Sequence, residues 1–281
     1  MQAQLLTWAR RKGRDLPWRH TRDPWAILVS EVMLQQTQVT RVIPAWTAFL
    51  TQFPTPRACA DAGQAAVVTA WDGLGYNRRA VNLHRCALTI VDRYDAAVPD
   101  TLDALLTLPG IGAYTARAVL AFAFEQPVGI VDVNVARVHA RLAGRALNPR
   151  ELQRVADAAT PRLRPWHWNQ AMLDLGATVC TKRAPSCERC PLTAECGWHA
   201  VGGEDPAGPG TRQPRFEGSD RQGRGRLVAA LRRGPLSIDP SVLAETMGWP
   251  EDEPRSLRVA MSVVTDGLAK WEEQLGTISL R

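Results

Sequence analysis

Lysine is almost missing. Of 34 lysines and arginines only Lys12, Lys182 and Lys270 are lysines, so the stretch between Lys12 and Lys182 has no side-chain amine and cannot host Schiff-base chemistry. Long apolar runs are missing too. No segment approaches the roughly 20 consecutive apolar residues of a membrane span. The opening MQAQLLTWARRKGRDLPW has no apolar run of signal-peptide length. Over the first 200 residues no stretch alternates with period two for long enough to make a sheet, and no internal repeats occur. Cysteine is sparse, six in 281 residues, yet four of the six fall between 180 and 196. Such crowding points to metal ligation in a reducing compartment rather than to disulfides. These absences together predict a cytoplasmic protein with no membrane partner.

The chain is long enough for two or three domains, and 45% hydrophobic residues supply a core. The net charge of +6, nearly all of it arginine, favours a polyanionic partner. Helical spacing recurs over 2–12, 24–34, 39–52, 63–72, 78–94, 101–107, 113–124, 133–143, 150–160 and 166–178. Pro24 is a good first-turn proline, and the helix after it is apolar almost all round, hence buried. The first 200 residues are predicted to be all-α. Residues 201–220 are rich in Gly, Pro and charge and read as a linker. From 221 helical spacing resumes, ending in the stripe Leu257, Met261, Val264 and Leu268. Trp271 to Leu280, around Gly276, reads as a small β-hairpin. Three helices and a wing make a winged-helix-like module.

The chain is organised around Leu105 to Asp132, LLTLPGIGAYTARAVLAFAFEQPVGIVD. Gly110 and Gly112 permit a tight turn between two helices and the approach of another backbone. Amides at the start of the second helix lack internal partners and suit a phosphate. Asp132 stands where a helix N-cap belongs. An ordinary helical hairpin followed by an ordinary cap accounts for these residues equally well. Glu31 lies on its helix among Ile27, Leu28 and Leu34, where burial raises a carboxyl pKa and lets it serve as an acid; a glutamate satisfied by a neighbouring arginine is the plainer alternative. Taken together, Glu31 and Asp132 form an acid and an anion of the kind that breaks glycosidic bonds.

Cys180, Cys187, Cys190 and Cys196 form C-x6-C-x2-C-x5-C. Zinc sites of four cysteines usually come from two CxxC knuckles; a single CxxC with unequal gaps favours an iron–sulfur cubane. Lys182 and Arg183 in the first gap make a cationic loop suited to a phosphate.

The hairpin LPGIGAYT, the segment VDVNVARV and the cysteine loop resemble the helix–hairpin–helix DNA glycosylase superfamily, in its iron–sulfur branch. SEVMLQQTQV (30–39), RDLPWR (14–19), GLGY (73–76) and NQAMLDLGATVC (169–180) are similar to the signatures of MutY-type adenine DNA glycosylases. The resemblance covers residues 4–198. It implies a six-helix domain over 23–131 and an iron–sulfur domain from 1–22 with 132–200; the module over 221–281 lies beyond it. It implies one [4Fe–4S] cluster on the four cysteines, and a monomer acting in the nucleoid on double-stranded DNA with a mismatched or oxidised base pair. Adenine opposite 8-oxoguanine or guanine is the implied target.

Residue by residue, Glu31 matches the acid that protonates adenine at N7 and Asp132 the aspartate that stabilises the sugar cation. Tyr114 matches a tyrosine near the reacting sugar, and Asn134 an asparagine that organises the glutamate and water. Arg14, Leu16, Trp18, Arg19 and Gln170 fall where the family lines its adenine pocket. Gln36, Leu74 and Tyr76 fall where it probes or fills the duplex. Gly110 and Gly112, with Lys182 and Arg183, would meet the DNA backbone. Endonuclease III-type relatives carry a strand-cutting lysine where Tyr114 stands, so a monofunctional enzyme is implied here. Two features depart from the family. Asn77 replaces the second tyrosine of GLGYY, and 221–281 is too short for the NUDIX-like domain with which longer members read 8-oxoguanine. A thymine glycosylase acting on T·G shares the PWRHTRDP-like entry and the hairpin tyrosine, whereas QQT and Gln170 favour adenine. A non-catalytic iron–sulfur DNA-binding protein, or an electron carrier, would leave the carboxyl pair without purpose.

Overall fold

The computed structural model describes residues 1–209 and 214–281. Helices run α1 Gln2–Lys12, α2 Pro24–Leu34, α3 Val39–Gln52, α4 Pro56–Asp61, α5 Gln64–Ala70 and α6 Arg78–Arg93. They continue as α7 Leu102–Leu106, α8 Ala113–Phe122, α9 Val133–Ala143, α10 Pro149–Ala159, α11 Pro165–Thr178 and α12 Gly197–Val201. The C-terminal part is α13 Asp220–Leu231, β1 Leu236–Ser237, α14 Pro240–Met247, α15 Glu253–Thr265, β2 Ala269–Glu272 and β3 Thr277–Leu280. The predicted all-α architecture with a winged-helix module is the one found. The described residues group into two compact units: 1–31 with 100–107 and 111–209, and 32–99 with 108–110 and 214–281.

In the first unit α11 is the spine. α1 and α9 pack against it, and Leu5, Val135, Val138, Trp168, Met172 and Leu175 close a core. Local sequence explains the helix starts. Asn148 and Glu151 form a reciprocal capping box at α10, with Pro149 in its first turn. Gly144, left-handed at φ 67°, ends α9. The segment leading to Asp132 is held from both sides. The Gly129 amide donates to Asp157 Oδ1 at 2.9 Å, and the Ile130 amide to Asn169 Oδ1 at 3.2 Å. Gly129 is needed for close approach, because a Cβ there would stand 2.4 Å from the Ala156 carbonyl carbon.

In the second unit α4 and α5 pack on α6. α4 is absent from the sequence-based expectation, which treats Pro54 and Pro56 as separators. Its signal is Thr55, whose hydroxyl caps the Ala58 amide at 3.1 Å, followed by Pro56 in the first turn. The C-terminal module packs α13, α14 and α15 together and adds a three-stranded antiparallel sheet in the order β1-β3-β2. Fully buried Ile278 of β3 pairs with Leu236 on one side and Trp271 on the other; β1, only two residues long, was invisible in the sequence. Of the stripe Leu257, Met261, Val264 and Leu268, Leu268 is buried and Val264 half-buried, but the first two residues face outward. Leu257 is 36% exposed and Met261 43%, while Val259, Ala260 and Val263 are buried. α15 packs against α13 and α14, and in its first half that packing, not the apolar stripe, sets which residues turn inward. The predicted linker 201–220 includes 210–213, which lie outside the described residues. Among those described, no helix is long and apolar enough to cross a membrane.

Candidate active site

Glu31 comes from α2, Tyr114 from the first turn of α8 and Asp132 from the N-cap of α9, all in the first unit. α2 is buried from Trp25 to Met33, as its all-round apolar character predicts. Glu31 is 4% exposed and its Oε2 has no hydrogen-bond partner among the described residues. Burial pushes its carboxyl up to about 7, against a hydrogen bond from Tyr114 and with a further push from the charge of Asp132. Half-buried Tyr114 is held well above the usual phenol value by burial and by the Glu31 and Asp132 carboxyls. The two carboxyls and the phenol thus share one electrostatic neighbourhood, and Arg14 reaches the same phenol with its charge.

Asp132 caps α9 as its position in the sequence predicts. Oδ1 accepts from the Asn134 and Val135 amides at 2.9 and 2.7 Å, and Oδ2 from Asn134 Nδ2 at 2.9 Å. Asn134 Oδ1 in turn accepts from Arg137 Nη2 at 2.9 Å. Arg137, 9% exposed, also donates to the Gly176 carbonyl at 2.6 Å and the Cys180 carbonyl at 2.8 Å. A continuous hydrogen-bonded path therefore runs from Asp132 to the first cysteine. Arg137 was missed in the sequence; its signal is spacing, three residues beyond Asn134 on the inward face of α9.

Arg14, Arg19 and Gln170 line a cavity of about 340 Å³ together with Asp174. Leu16 and Trp18 are buried, each 7% exposed, and are not among its lining residues. Asp174, only 1% exposed, organises the two arginines. Arg14 donates through Nε at 2.6 Å, and Arg19 in a bidentate pair at 2.8 and 2.8 Å. Arg19 Nε remains without a partner among the described residues. Burial acts to raise the Asp174 carboxyl, but Arg19 and then Arg14 outweigh it and hold the carboxyl below its ordinary value. The only sign of Asp174 in the sequence is its place four residues after Gln170, on the same helix face. Asp174→Ala would leave two cations facing each other without a counter-charge. We expect a loss of about 2–3 kcal/mol, discounted for the partial exposure of Arg14, read as a shifted urea midpoint. A depressed acid pKa contributes stability above its unfolded value, so this contribution disappears as pH falls below about 4.

In the second unit, Gln36 is exposed and left-handed at φ 56°, Tyr76 is 42% exposed at φ 46°, and Leu74 is 4% exposed. Of the three proposed duplex probes, Leu74 is thus packed inward and Gln36 and Tyr76 face outward. In the hairpin Gly110 is left-handed at φ 79°, and a Cβ there would lie 2.7 Å from Asn82 Cβ. Gly112 is extended, and the place of its missing Cβ is open space, room for another backbone to come close.

Cys180, Cys187, Cys190 and Cys196 line one small cavity beneath Arg141 and Trp198. Arg141 is 1% exposed and donates to Cys180 Sγ at 3.2 Å and to the Thr181 and Lys182 carbonyls at 2.8 and 3.1 Å. Asp205, within the predicted linker, pairs with it at 2.7 Å. This anchors the loop on which Lys182 and Arg183 are exposed. Among the described residues no group of three or more His, Cys, Asp or Glu side chains closes into the shell of a single metal ion. Burial and the neighbouring Cys180 and Cys196 nevertheless raise the thiols of Cys187 and Cys190. Thiols gathered around one cavity, two of them disfavoured from ionising by burial and by their neighbours, fit a shared multivalent cationic group, which relieves that penalty.

Residues 29–161 match the HhH-GPD superfamily of base excision DNA repair proteins. The chain is 45% identical over 273 residues to the adenine DNA glycosylase of Mycolicibacterium smegmatis, a match covering 95% of this chain and 92% of that protein. A thermostable thymine-DNA glycosylase of known structure aligns with TM-score 0.66 at 29% identity, covering 70% of this chain and 94% of that one. Endonuclease III trapped in a covalent intermediate with DNA aligns with TM-score 0.60 at 25% identity, over 69% and 93% of the two chains. The carboxyl pair, the hairpin and the cysteine loop thus stand in a chain that belongs to the adenine DNA glycosylase family of the HhH-GPD base excision DNA repair superfamily.

Proposed function

We propose that this chain hydrolyses the N-glycosidic bond of adenine opposite 8-oxoguanine, or opposite guanine, in duplex DNA, acts as a monomer and leaves the strand uncut. The observation that carries the reading is Glu31: a buried carboxyl with one free oxygen, held near pKa 7 beside Tyr114 and the charge of Asp132. An acid with that pKa holds a proton at neutral pH and can release it. Likeness over 95% of this chain to a relative named an adenine DNA glycosylase favours adenine over thymine.

In the proposed reaction, exposed Lys182, Arg183 and the hairpin amides hold the phosphate backbone without regard to sequence. The adenine leaves the stack. Glu31 gives its proton to N7, the C1′–N9 bond breaks, and its electron pair leaves with the base. Asp132, fixed by three N–H donors, faces the sugar cation. Water adds to C1′ and gives its proton to the Glu31 carboxylate, which restores the acid, Asn134 and Tyr114 ordering the surroundings. No lysine stands in the hairpin to cut the strand by Schiff-base chemistry. Arg14, Arg19 and Gln170 are proposed to bound the base pocket, Leu16 and Trp18 being buried outside its lining. Single-turnover assays on duplexes with A·8-oxoG, A·G and T·G test the reading. Release of adenine from the first two without strand scission is expected, and release of thymine alone would overturn it.

Cys180, Cys187, Cys190 and Cys196 are proposed to hold one [4Fe–4S] cluster, which would close the loop that carries Lys182 and Arg183 at the end of α11. Purified protein should carry iron and sulfide in equal amounts. Cys190→Ser is expected to lower both and to reduce the melting temperature by several degrees. Zinc in place of iron would overturn the assignment.

A further inference from the structure

The electrostatics of the C-terminal module argue against a grip of its own on DNA. Residues 214–281 carry ten basic and ten acidic side chains, so the positive excess of the chain lies elsewhere and nonspecific phosphate attraction here is small. Its arginines are largely engaged internally. Arg255 and Arg258 pair with Asp220 at 2.7 and 3.0 Å, Arg224 pairs with Asp266, and Arg226 donates to the Met247 carbonyl.

Arg232, at the end of α13, instead reaches out of the module. Its Nη1 donates to Asp72 Oδ1 at 2.5 Å, Nη2 to Asn77 Oδ1 at 3.1 Å and Nε to the Val68 carbonyl at 3.1 Å. Asp72 and Asn77 are the two ends of the loop that carries Leu74 and Tyr76. The guanidinium is a rigid planar fork, so one side chain fixes the separation of both ends. The loop needs such a restraint. Gly73, Gly75 and Tyr76 are all left-handed, at φ 74°, 67° and 46°, and a tyrosine persists there only where its surroundings over-determine it. From the inner side Arg79 Nη2 holds the Leu74 and Gly75 carbonyls at 3.2 and 3.1 Å, and Trp71 Nε1 the Gly75 carbonyl at 3.2 Å. From the outer side the holder is Arg232. Asn77, which replaces the second tyrosine of the family pattern, supplies the acceptor that makes this possible.

We propose that Arg232 is a positioning residue through which the C-terminal module clamps the Asp72–Asn77 loop in the conformation that presents Tyr76, and so sets discrimination between mispaired and matched duplex. This rests on the glycosylase reading of the site. Two measurements test it on the full chain. Amide hydrogen exchange without DNA should show residues 73–77 exchanging at least about tenfold faster in Arg232→Ala than in wild type, with α6 unchanged. Arg232→Lys, which keeps the charge but loses the fork, should resemble Arg232→Ala.

In a Glu31→Gln background, where the duplex is not consumed, the ratio of affinities for A·8-oxoG and fully matched duplex should fall about tenfold in Arg232→Ala. It should fall similarly in Tyr76→Ala, with no further loss in the double variant, because both act through one loop. Asn77→Ala removes one arm of the clamp from the surface and should give a partial loss, which keeps the test open should Arg232→Ala misfold. Unchanged loop exchange, or losses from Arg232→Ala and Tyr76→Ala that add in full, would overturn the proposal. Failure of the glycosylase reading would appear differently, as absence of base release by the wild-type protein.

Discussion

Glu31→Gln is expected to lower the single-turnover rate of adenine release by about 10³-fold or more while leaving duplex affinity within a few-fold of wild type. The amide fills the same space on α2 but carries no acidic proton. The pH dependence supplies an independent check. With a pKa of about 7, the competent form of Glu31 is the protonated one, so the wild-type rate should hold below pH 7 and fall about tenfold per pH unit above it. Stability runs the same way. In the unfolded chain a glutamate ionises near 4.5, whereas the folded chain retains the proton to about 7. Between those values the folded state binds more protons than the unfolded one, so rising pH removes stability. Glu31→Gln should lack that slope. A wild-type rate flat from pH 6 to 9, or Glu31→Gln with near-normal turnover, would remove Glu31 from the chemistry.

The second large effect belongs to Asp132→Asn, which separates two roles that one carboxylate combines. As an N-cap, asparagine is as good as aspartate, and its amide oxygen can accept from the Asn134 and Val135 amides as Asp132 Oδ1 does. One hydrogen bond is lost in either orientation of Asn134, because turning its amide to accept from the new donor sets its Nδ2 against Arg137 Nη2, so stability should change by about 1–2 kcal/mol. The rate should nonetheless fall about 10²–10⁴-fold, because a neutral group no longer opposes a forming sugar cation. Thermal unfolding and single-turnover kinetics on the same preparation decide the matter. Equal losses in stability and rate would reduce Asp132 to a structural cap.

Among the elements, α3 at Val39–Gln52 and α9 at Val133–Ala143 begin and end where the sequence pattern places them. Their signals are local: proline, glycine, a capping aspartate and apolar spacing within a few residues. α4 and α15 show the limit of that reading. α4 is a short helix hidden by the two prolines that bracket its start, and the buried face of α15 was chosen by the helices it packs against rather than by its most apolar residues.

The candidate site divides along the same line. Glu31, Asp132 and the four cysteines could be picked out in the sequence, because an acid inside an apolar helix, an aspartate at a helix start and tightly spaced thiols are each unusual within their own neighbourhood. Asp174 beneath Arg14 and Arg19, Arg137 bridging Asn134 to the Cys180 carbonyl, and Arg232 across Asp72 and Asn77 could not. Their partners lie up to 160 residues away in the chain. A charged side chain looks the same in sequence whether solvent or a buried counter-charge awaits it. The chain by itself determined which groups are available and how each helix starts and stops, since backbone hydrogen bonding and side-chain periodicity act over single turns. Which distant charges meet, and with what pKa, was decided only by tertiary packing, because desolvation and ion pairing depend on what surrounds a group in space rather than on what precedes it in the chain.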